Sequence, residues 1–204
     1  MLTIGLPVYN GGKKLKTAID SLLNQSYRNF VLHISDNASN DETPLICQGA
    51  AERDRRVVWS RQTKNIGAEE NFRFVLQNSH TPFFMWAAHD DCWKDTFVEK
   101  NLALLLNDPL ATASISKVAF QRNGAQVYLS QSTHALTESV SDNLQDFFAN
   151  PADASRLYAI HRQRGLTACR AELCRCNTSH PQPQAGGRRR IRRFSLRPPR
   201  VTDT

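Results

Sequence analysis

An apolar run ends abruptly on two neighbouring carboxylates in the stretch Phe83-Phe84-Met85-Trp86-Ala87-Ala88-His89-Asp90-Asp91-Cys92-Trp93. A buried strand with this sequence delivers Asp90 and Asp91 to its carboxyl end, where α/β sheets bind their ligands. Two adjacent negative charges repel, so we expect a compensating positive charge, and a divalent cation carrying a nucleotide diphosphate supplies one. On this segment alone, the open alternative is an Asp-Asp turn that caps a helix over residues 94–107.

Upstream of this stretch, strand-like runs alternate with a helix. Residues 2–8 and 30–35 are short apolar runs, and residues 13–25 carry apolar side chains at helical spacing. Each strand ends in a polar or glycine-rich loop, which is typical of a parallel sheet. The chain contains neither G-x-G-x-x-G after the first strand nor G-x-x-x-x-G-K-S/T, so a dinucleotide-binding Rossmann site and a Walker phosphate loop are both disfavoured.

A carboxylate, Asp36, closes the second predicted strand. At a strand end it can accept a hydrogen bond from a base N–H group or from a sugar hydroxyl. The structural alternative for such an aspartate is an Asx turn or a helix cap, and Asp41, five positions later, fits that alternative better. We therefore take Asp36 as a candidate nucleotide ligand.

Several segments together carry a family resemblance. They are Ile4-Gly5-Leu6-Pro7-Val8-Tyr9-Asn10, Ser26-Tyr27-Arg28-Asn29-Phe30, Ser35-Asp36-Asn37-Ala38-Ser39-Asn40-Asp41, Asn65-Ile66-Gly67 with Asn71, and the stretch from Trp86 to Trp93. In this order and at this spacing, they resemble a family 2 glycosyltransferase of the GT-A fold. The resemblance covers about residues 1–162. It implies an α/β fold in which helices flank a mostly parallel central sheet.

The resemblance also assigns site residues by position. The nucleotide-binding residues that it implies are Pro7, Tyr9, Asn10, Asp36, Asn65, Asn71 and Asp90. Among these, Pro7, Tyr9 and Asp36 would hold the base and ribose, and the two asparagines at 65 and 71 would line the donor side of the cleft. Asp90 and Asp91 would form the family's metal-binding pair, and oxygen ligands suit Mg²⁺ or Mn²⁺.

The implied activity is transfer of a sugar from a nucleotide-diphosphate donor, UDP-type favoured, to an acceptor hydroxyl. Most members of the family invert the anomeric configuration, so we expect a direct displacement. The acceptor would be a carbohydrate or a lipid-linked molecule in cell-surface polysaccharide or glycolipid synthesis. The family supplies its general base from a segment well downstream of the acidic pair, and we identify no catalytic base in this sequence.

The charge of the chain is unevenly distributed. The formal net charge is +7, yet residues 1–163 hold 16 basic and 17 acidic residues, whereas residues 164–204 hold 10 arginines and 2 acidic residues. We expect a glycosyltransferase domain over residues 1–162, incomplete at its C-terminal side, and a low-order Arg/Pro-rich tail over residues 163–204. The tail has the composition expected of GC-rich DNA translated in a shifted reading frame. Since the family supplies its general base from this region, we expect donor binding but impaired transfer.

Two alternatives stay open at this point. A nucleotidyltransferase or a sugar-nucleotide-binding α/β protein without transferase activity would share the strand-end carboxylates. A nucleic-acid-binding protein would act through its Arg-rich tail, although the neutral charge of the domain argues against a nucleic-acid partner. The cysteines and histidine at positions 169, 174, 176 and 180 match no common zinc spacing.

The remaining pattern predicts further elements and a location. We expect strands over residues 57–61, 113–120 and 126–129, the last two joined by a hairpin turn at 123–124, and helices over residues 68–78, 97–106, 144–148 and 154–161. No apolar stretch approaches the roughly 20 residues of a membrane span. With Met1 directly before the first strand and with isolated thiols at 47 and 92, we expect a cytoplasmic protein, with peripheral contact at the inner face of the membrane left open.

Overall fold

The computed structural model describes residues 1–122, 125–130, 133, 135, 139, 141–143, 145 and 154–163. The strands are β1 (Leu2–Val8), β2 (Phe30–Asp36), β3 (Val57–Arg61), β4 (Phe83–Trp86), β5 (Ala113–Ser114), β6 (Ala119–Arg122), β7 (Ala125–Leu129) and β8 (Ile160–Arg162). The helices are α1 (Gly12–Leu23), α2 (Thr43–Arg53), α3 (Ala68–Gln77), α4 (Phe97–Asn107) and a short 3₁₀ helix, η1 (Ala154–Tyr158).

Six of these strands form one sheet in the order β3-β2-β1-β4-β8-β5. The first four are mutually parallel, and β8 runs antiparallel to both β4 and β5. All seven residues of β1 are buried, as expected for a central parallel strand covered on both faces. The predicted α/β class, a mostly parallel central sheet flanked by helices, is therefore confirmed.

The two faces of the sheet are covered by different helices. The even-numbered residues of β1 belong to one core cluster with apolar side chains of α1, α2 and α4. On the other face Gly5 lies under α3, where an added Cβ would come within 2.8 Å of Val75 and also of Phe84. A glycine at this position therefore lets α3 approach the sheet closely.

The C-terminal elements differ from the sequence-based expectation. The helix predicted over residues 154–161 is instead η1 followed by β8, and the strand predicted over 113–120 is divided into β5 and the start of β6. Strand β8 fills the space between β4 and β5, and Ile160 within it is completely buried. Tertiary pairing of this segment overrides its local helical pattern.

Two expectations fall partly or wholly outside the described residues. Strands β6 and β7 pair in antiparallel fashion as expected, but the predicted turn at 123–124 is not described, nor is most of the predicted helix at 144–148. The domain boundary at residue 162 and the low-order tail stay predictions. Within the described part of the chain, no helix has the length and apolar character needed to cross a bilayer.

Candidate functional site

Two loops are joined at the carboxyl edge of the parallel strands. The β1–α1 loop and the β2–α2 loop share four hydrogen bonds: Asn10 N–H to Ser39 Oγ (2.9 Å), Gly11 N–H to Thr43 Oγ1 (2.8 Å), Gly12 N–H to Asp41 Oδ2 (3.0 Å) and Asn40 N–H to Asn10 Oδ1 (3.0 Å). Asn10 and Gly12 adopt φ angles of 51° and 53°, and Ala38 in the opposite loop adopts 60°. The positive φ values turn both loops tightly, and the side chains of the second loop satisfy the backbone of the first.

The predicted residues of the first loop differ in their exposure. Pro7 is buried within β1 opposite Ser35 of β2, whereas Tyr9 is 46% exposed just beyond the strand end. Asn10 uses its side-chain oxygen to accept the Asn40 N–H group. Tyr9 therefore presents an accessible ring at the edge, while Pro7 and Asn10 shape the loop that carries it.

Asp36 is completely buried at the end of β2 and has an arginine partner. Its Oδ1 atom accepts the Ser39 N–H group (2.9 Å), and its Oδ2 atom lies 3.3 Å from Nε of Arg61 without a hydrogen bond to any described group. Arg61 is the residue of β3 that pairs with Asp36 across the ladder, and its Nη2 also donates to the Ser39 carbonyl. Sequence reasoning missed Arg61, because only strand register places it beside Asp36.

The two predicted asparagines lie within hydrogen-bond networks at the same edge. Asn65 Oδ1 accepts from Asn37 Nδ2 (3.1 Å) and from the Gly67 N–H group (2.9 Å), which ties the loop after β3 to the end of β2. Asn71 is buried, and its amide accepts from Ser35 Oγ (2.6 Å) and donates to the Ser35 carbonyl (2.9 Å). Both side chains hold the strand end in place, and a direct contact with the donor stays a prediction.

The acidic pair follows β4, the strand on the other side of β1. Asp90 and Asp91 are exposed, and no described residue forms a hydrogen bond or ion pair with either. Partial burial of its carboxylate, followed by the charge of Asp90, raises the pKa of Asp91, and His89 opposes this shift. The ring of His89 lies beside Gly11, where an added Cβ would be 3.3 Å from its Cδ2 atom. The segment that carries the acidic pair therefore contacts the β1–α1 loop.

A tyrosine from the C-terminal part of the domain completes this edge. Tyr158, the last residue of η1, is half-buried, and η1 contacts β4. Burial, and then the charges of Asp91 and Asp90, raise the pKa of the Tyr158 phenol. Sequence analysis did not single out Tyr158, because the helix predicted over 154–161 concealed that this residue lies just before a paired strand, β8.

The acidic pair fits a divalent cation. Two mutually repelling carboxylates without a protein partner in the described chain are hard oxygen ligands in need of a positive charge. The described residues include no cluster of three or more His, Cys, Asp or Glu residues arranged to enclose a metal. A cation held by Asp90 and Asp91 would therefore take further oxygen ligands from water or from a bound phosphate group, as Mg²⁺ commonly does.

Comparison with solved structures defines the class of this fold. The TarS 1-349 structure from S. aureus superposes with a TM-score of 0.66 and 19% identity, covering 83% of this chain and 49% of that chain. A mannosyltransferase from Pyrobaculum calidifontis, solved with GDP-Man and Mn²⁺, gives a TM-score of 0.52 and 22% identity over 57% of this chain and 35% of that chain. These neighbours are GT-A glycosyltransferases, so the fold is a GT-A fold.

The family follows from the sequence. The glycosyl transferase family 2 model matches residues 3–171, and the chain belongs to this family. An uncharacterised glycosyltransferase of Rickettsia typhi is 27% identical over 105 residues, which are 52% of this chain and 32% of the relative. The glycosyltransferase GlyA of Streptococcus pneumoniae is 24% identical over 146 residues, 72% of this chain and 21% of the relative. The matched part of this chain thus spans about a third of the first relative and a fifth of the second.

Proposed function

We propose that this chain binds a nucleotide-diphosphate sugar at the carboxyl edge of β1, β2 and β4 and transfers the sugar to an acceptor hydroxyl. The observation that carries the proposal is the contact of His89, next to the acidic pair, with Gly11 of the loop that is bonded to the end of β2. Base-recognition candidates and metal-ligand candidates therefore share one edge. Structural neighbours solved with UDP-GlcNAc and with GDP-Man and Mn²⁺ support this choice of ligand class.

The proposed donor is of the UDP type. The exposed ring of Tyr9 offers a stacking surface for a base, and the Asp36 carboxylate beside the half-exposed Arg61 offers an acceptor next to a donor. The edge of uracil carries an N–H donor between two carbonyl acceptors and is complementary to that arrangement. Guanine has a carbonyl next to an N–H group as well, so GDP is the comparison ligand.

In the proposed reaction the oxygen of the acceptor hydroxyl attacks the anomeric carbon as the bond to the diphosphate breaks, the hydroxyl proton passes to water, and the configuration inverts. A bound Mg²⁺ or Mn²⁺ would offset the negative charge of the departing diphosphate. Asp91 and Asp90 would hold that cation, and the β1–α1 loop would orient the nucleotide. No described residue is assigned as the general base. The sequence predicts that the tail supplies no base, and a missing base forfeits roughly 10²–10⁴-fold in rate, so we expect a turnover below about 1 s⁻¹.

Acceptor and location are proposed on the family resemblance alone. The acceptor is a carbohydrate or a lipid-linked molecule used in cell-surface polysaccharide or glycolipid synthesis. Such an acceptor would be met in the cytoplasm, at the inner face of the membrane. No nucleic-acid partner is proposed.

Calorimetry with UDP, GDP and dTDP in the presence of Mn²⁺ or Mg²⁺ tests donor binding. We expect UDP to bind most tightly, and we expect Asp91→Asn to lower its metal-dependent affinity at least tenfold, or about 1.4 kcal/mol, because a charged ligand of the cation is lost. Asp95→Asn is the control, since Asp95 is exposed and its carbonyl accepts from Ser26 N–H, in the loop before β2. Equal losses from the two variants, or no nucleotide binding at all, would contradict the proposal.

A nucleotide-sugar-binding protein without transferase activity is the second candidate. It would share the carboxylates at the strand ends, and it predicts donor binding without product. NMR analysis of products from a labelled nucleotide sugar separates the two. Slow transfer with inversion supports the transferase, and a retained anomeric configuration would exclude the single displacement.

A further inference from the structure

Strand register places Tyr158 at the same edge of the sheet as the acidic pair. In the antiparallel ladder between β4 and β8, Phe83 pairs with Arg162 and Phe84 pairs with His161. Each step forward along β4 is one step back along β8, so the chain leads back from Ile160 toward η1 at the end of β4 where the acidic pair follows. Tyr158 therefore lies at the carboxyl edge of the sheet, although it comes nearly 70 positions after Asp91 in the sequence.

Neighbouring contacts hold this arrangement in place. The ring of His161 packs edge-on against Trp86, the last residue of β4, with ring centroids 6.1 Å apart. Trp86 in turn donates from Nε1 to the Phe72 carbonyl of α3. Ala159 and Ile160, which follow Tyr158, are buried. The backbone that carries Tyr158 is thus held by the sheet, which limits the positions its side chain can reach.

The hydroxyl of Tyr158 has no hydrogen-bond partner among the described residues. Burial, and then the charges of Asp91 and Asp90, raise the pKa of this hydroxyl, so the phenol stays protonated. A lysine or arginine here would pair with Asp91 and cancel the charge that a cation requires. A neutral phenol leaves that charge intact and still provides a hydrogen-bond donor. This arrangement suits a phosphate oxygen that is bound to the cation.

We propose that Tyr158 is a diphosphate-binding residue, whose hydroxyl donates a hydrogen bond to a phosphate oxygen of a nucleotide bound over the acidic pair. This inference rests on the proposed function and adds a residue from η1 to a site otherwise built from the loops after β1, β2 and β4. The ligand class that it specifies is a nucleoside diphosphate rather than a nucleoside or a monophosphate.

The test is Tyr158→Phe, which removes the hydroxyl and keeps the ring. Calorimetry of the full chain with UDP, UMP and uridine, each with Mn²⁺, measures the effect. We expect UDP affinity to fall about tenfold, as for a lost hydrogen bond to a charged group, while the affinity for uridine changes less than twofold. Mn²⁺ binding in the absence of nucleotide, followed by electron paramagnetic resonance, should also stay within twofold of the wild type.

Tyr27→Phe is the matched control, because Tyr27 is also half-buried and precedes β2 at the opposite edge of the sheet. It should leave UDP affinity unchanged. The inference is overturned if Tyr158→Phe leaves UDP affinity unchanged, or lowers UDP and uridine affinity equally, since the latter marks a general structural effect. Absence of UDP binding by the wild type instead overturns the proposed function, and this inference with it.

Discussion

At the residue scale, the buried carboxylate of Asp36 depends on its ion pair with Arg61. The Asp36 carboxylate is completely buried, whereas the Arg61 side chain is 49% exposed. A buried carboxylate that loses its cation retains its desolvation cost without the compensating attraction. The partial exposure of Arg61 means that solvent already screens part of that attraction, so the effect is smaller than for a fully buried pair.

We predict that Arg61→Met lowers the free energy of unfolding by about 1–2 kcal/mol, measured by urea denaturation. Arg73→Met is a closely matched control, because the Arg73 side chain is 46% exposed and its partners Glu69 and Glu70 are surface residues of the same helix. That variant should change stability by less than about 0.5 kcal/mol. Equal effects of the two substitutions would show that Asp36 does not depend on Arg61.

At the element scale, one buried histidine, His33, and one half-buried histidine, His161, lie on strands of the sheet. His33 in β2 contacts Ser60 of β3 through Nε2 at 2.9 Å, and His161 in β8 packs against Trp86. Burial lowers the pKa of both imidazoles below the ordinary value. The neutral ring is therefore the form that fits the sheet, and protonation opposes the folded state.

The pH dependence of stability follows from the lowered pKa of these histidines. Because the folded pKa of His33 lies below the unfolded value of about 6.5, the unfolded chain binds more protons below that pH. Stability is then lost as pH falls from about 6.5 through the lowered folded pKa, by at most about 1.4 kcal/mol per pH unit for each histidine. We predict that His33→Gln, which keeps a polar group opposite Ser60, reduces the loss of unfolding free energy between pH 7 and pH 5.

The exposed His80 provides the comparison for this experiment. His80→Gln should leave the pH dependence unchanged, since folding does not bury the His80 ring. Urea denaturation at several pH values measures all three proteins. If the unfolding free energy of His33→Gln falls with decreasing pH as steeply as that of the wild type, the assignment of His33 as a buried neutral group is contradicted.

At the scale of the whole molecule, the basic charge and the candidate site belong to different parts of the chain. The ten arginines from residue 164 onward account for the net positive charge, whereas the strand ends proposed to bind the donor all precede residue 92. We predict that removing residues 164–204 changes UDP affinity with Mn²⁺ by less than about twofold, or 0.4 kcal/mol.

Binding to a single-stranded RNA at two salt concentrations completes the test of the tail. Any RNA affinity of the full chain should fall steeply with salt and disappear on truncation, because phosphate contacts release counterions. A truncated protein that retains RNA binding would favour a nucleic-acid role for the domain itself. Loss of UDP binding on truncation would place part of the donor site in the removed segment.

Much of the fold was predictable from the sequence because its parallel strands are locally distinctive. Strands β1, β2 and β3 begin and end within a residue of the predicted limits, since buried parallel strands are continuous apolar runs bounded by polar loops. The acidic pair was predictable for the same reason, as it directly follows such a run. The strand at Ile160–Arg162 was not, because a three-residue strand carries too little pattern to outweigh a helical reading.

The sequence by itself therefore determined the order of the elements, the family and the residues at each strand end. Tertiary structure alone decided which of those residues meet. Arg61 reaches Asp36 only through the register of β2 with β3, and Tyr158 comes to the edge that carries the acidic pair only because β8 inserts beside β4. The physical reason is that burial pattern is a property of each segment, whereas pairing depends on the competition of all segments for the same sheet edge.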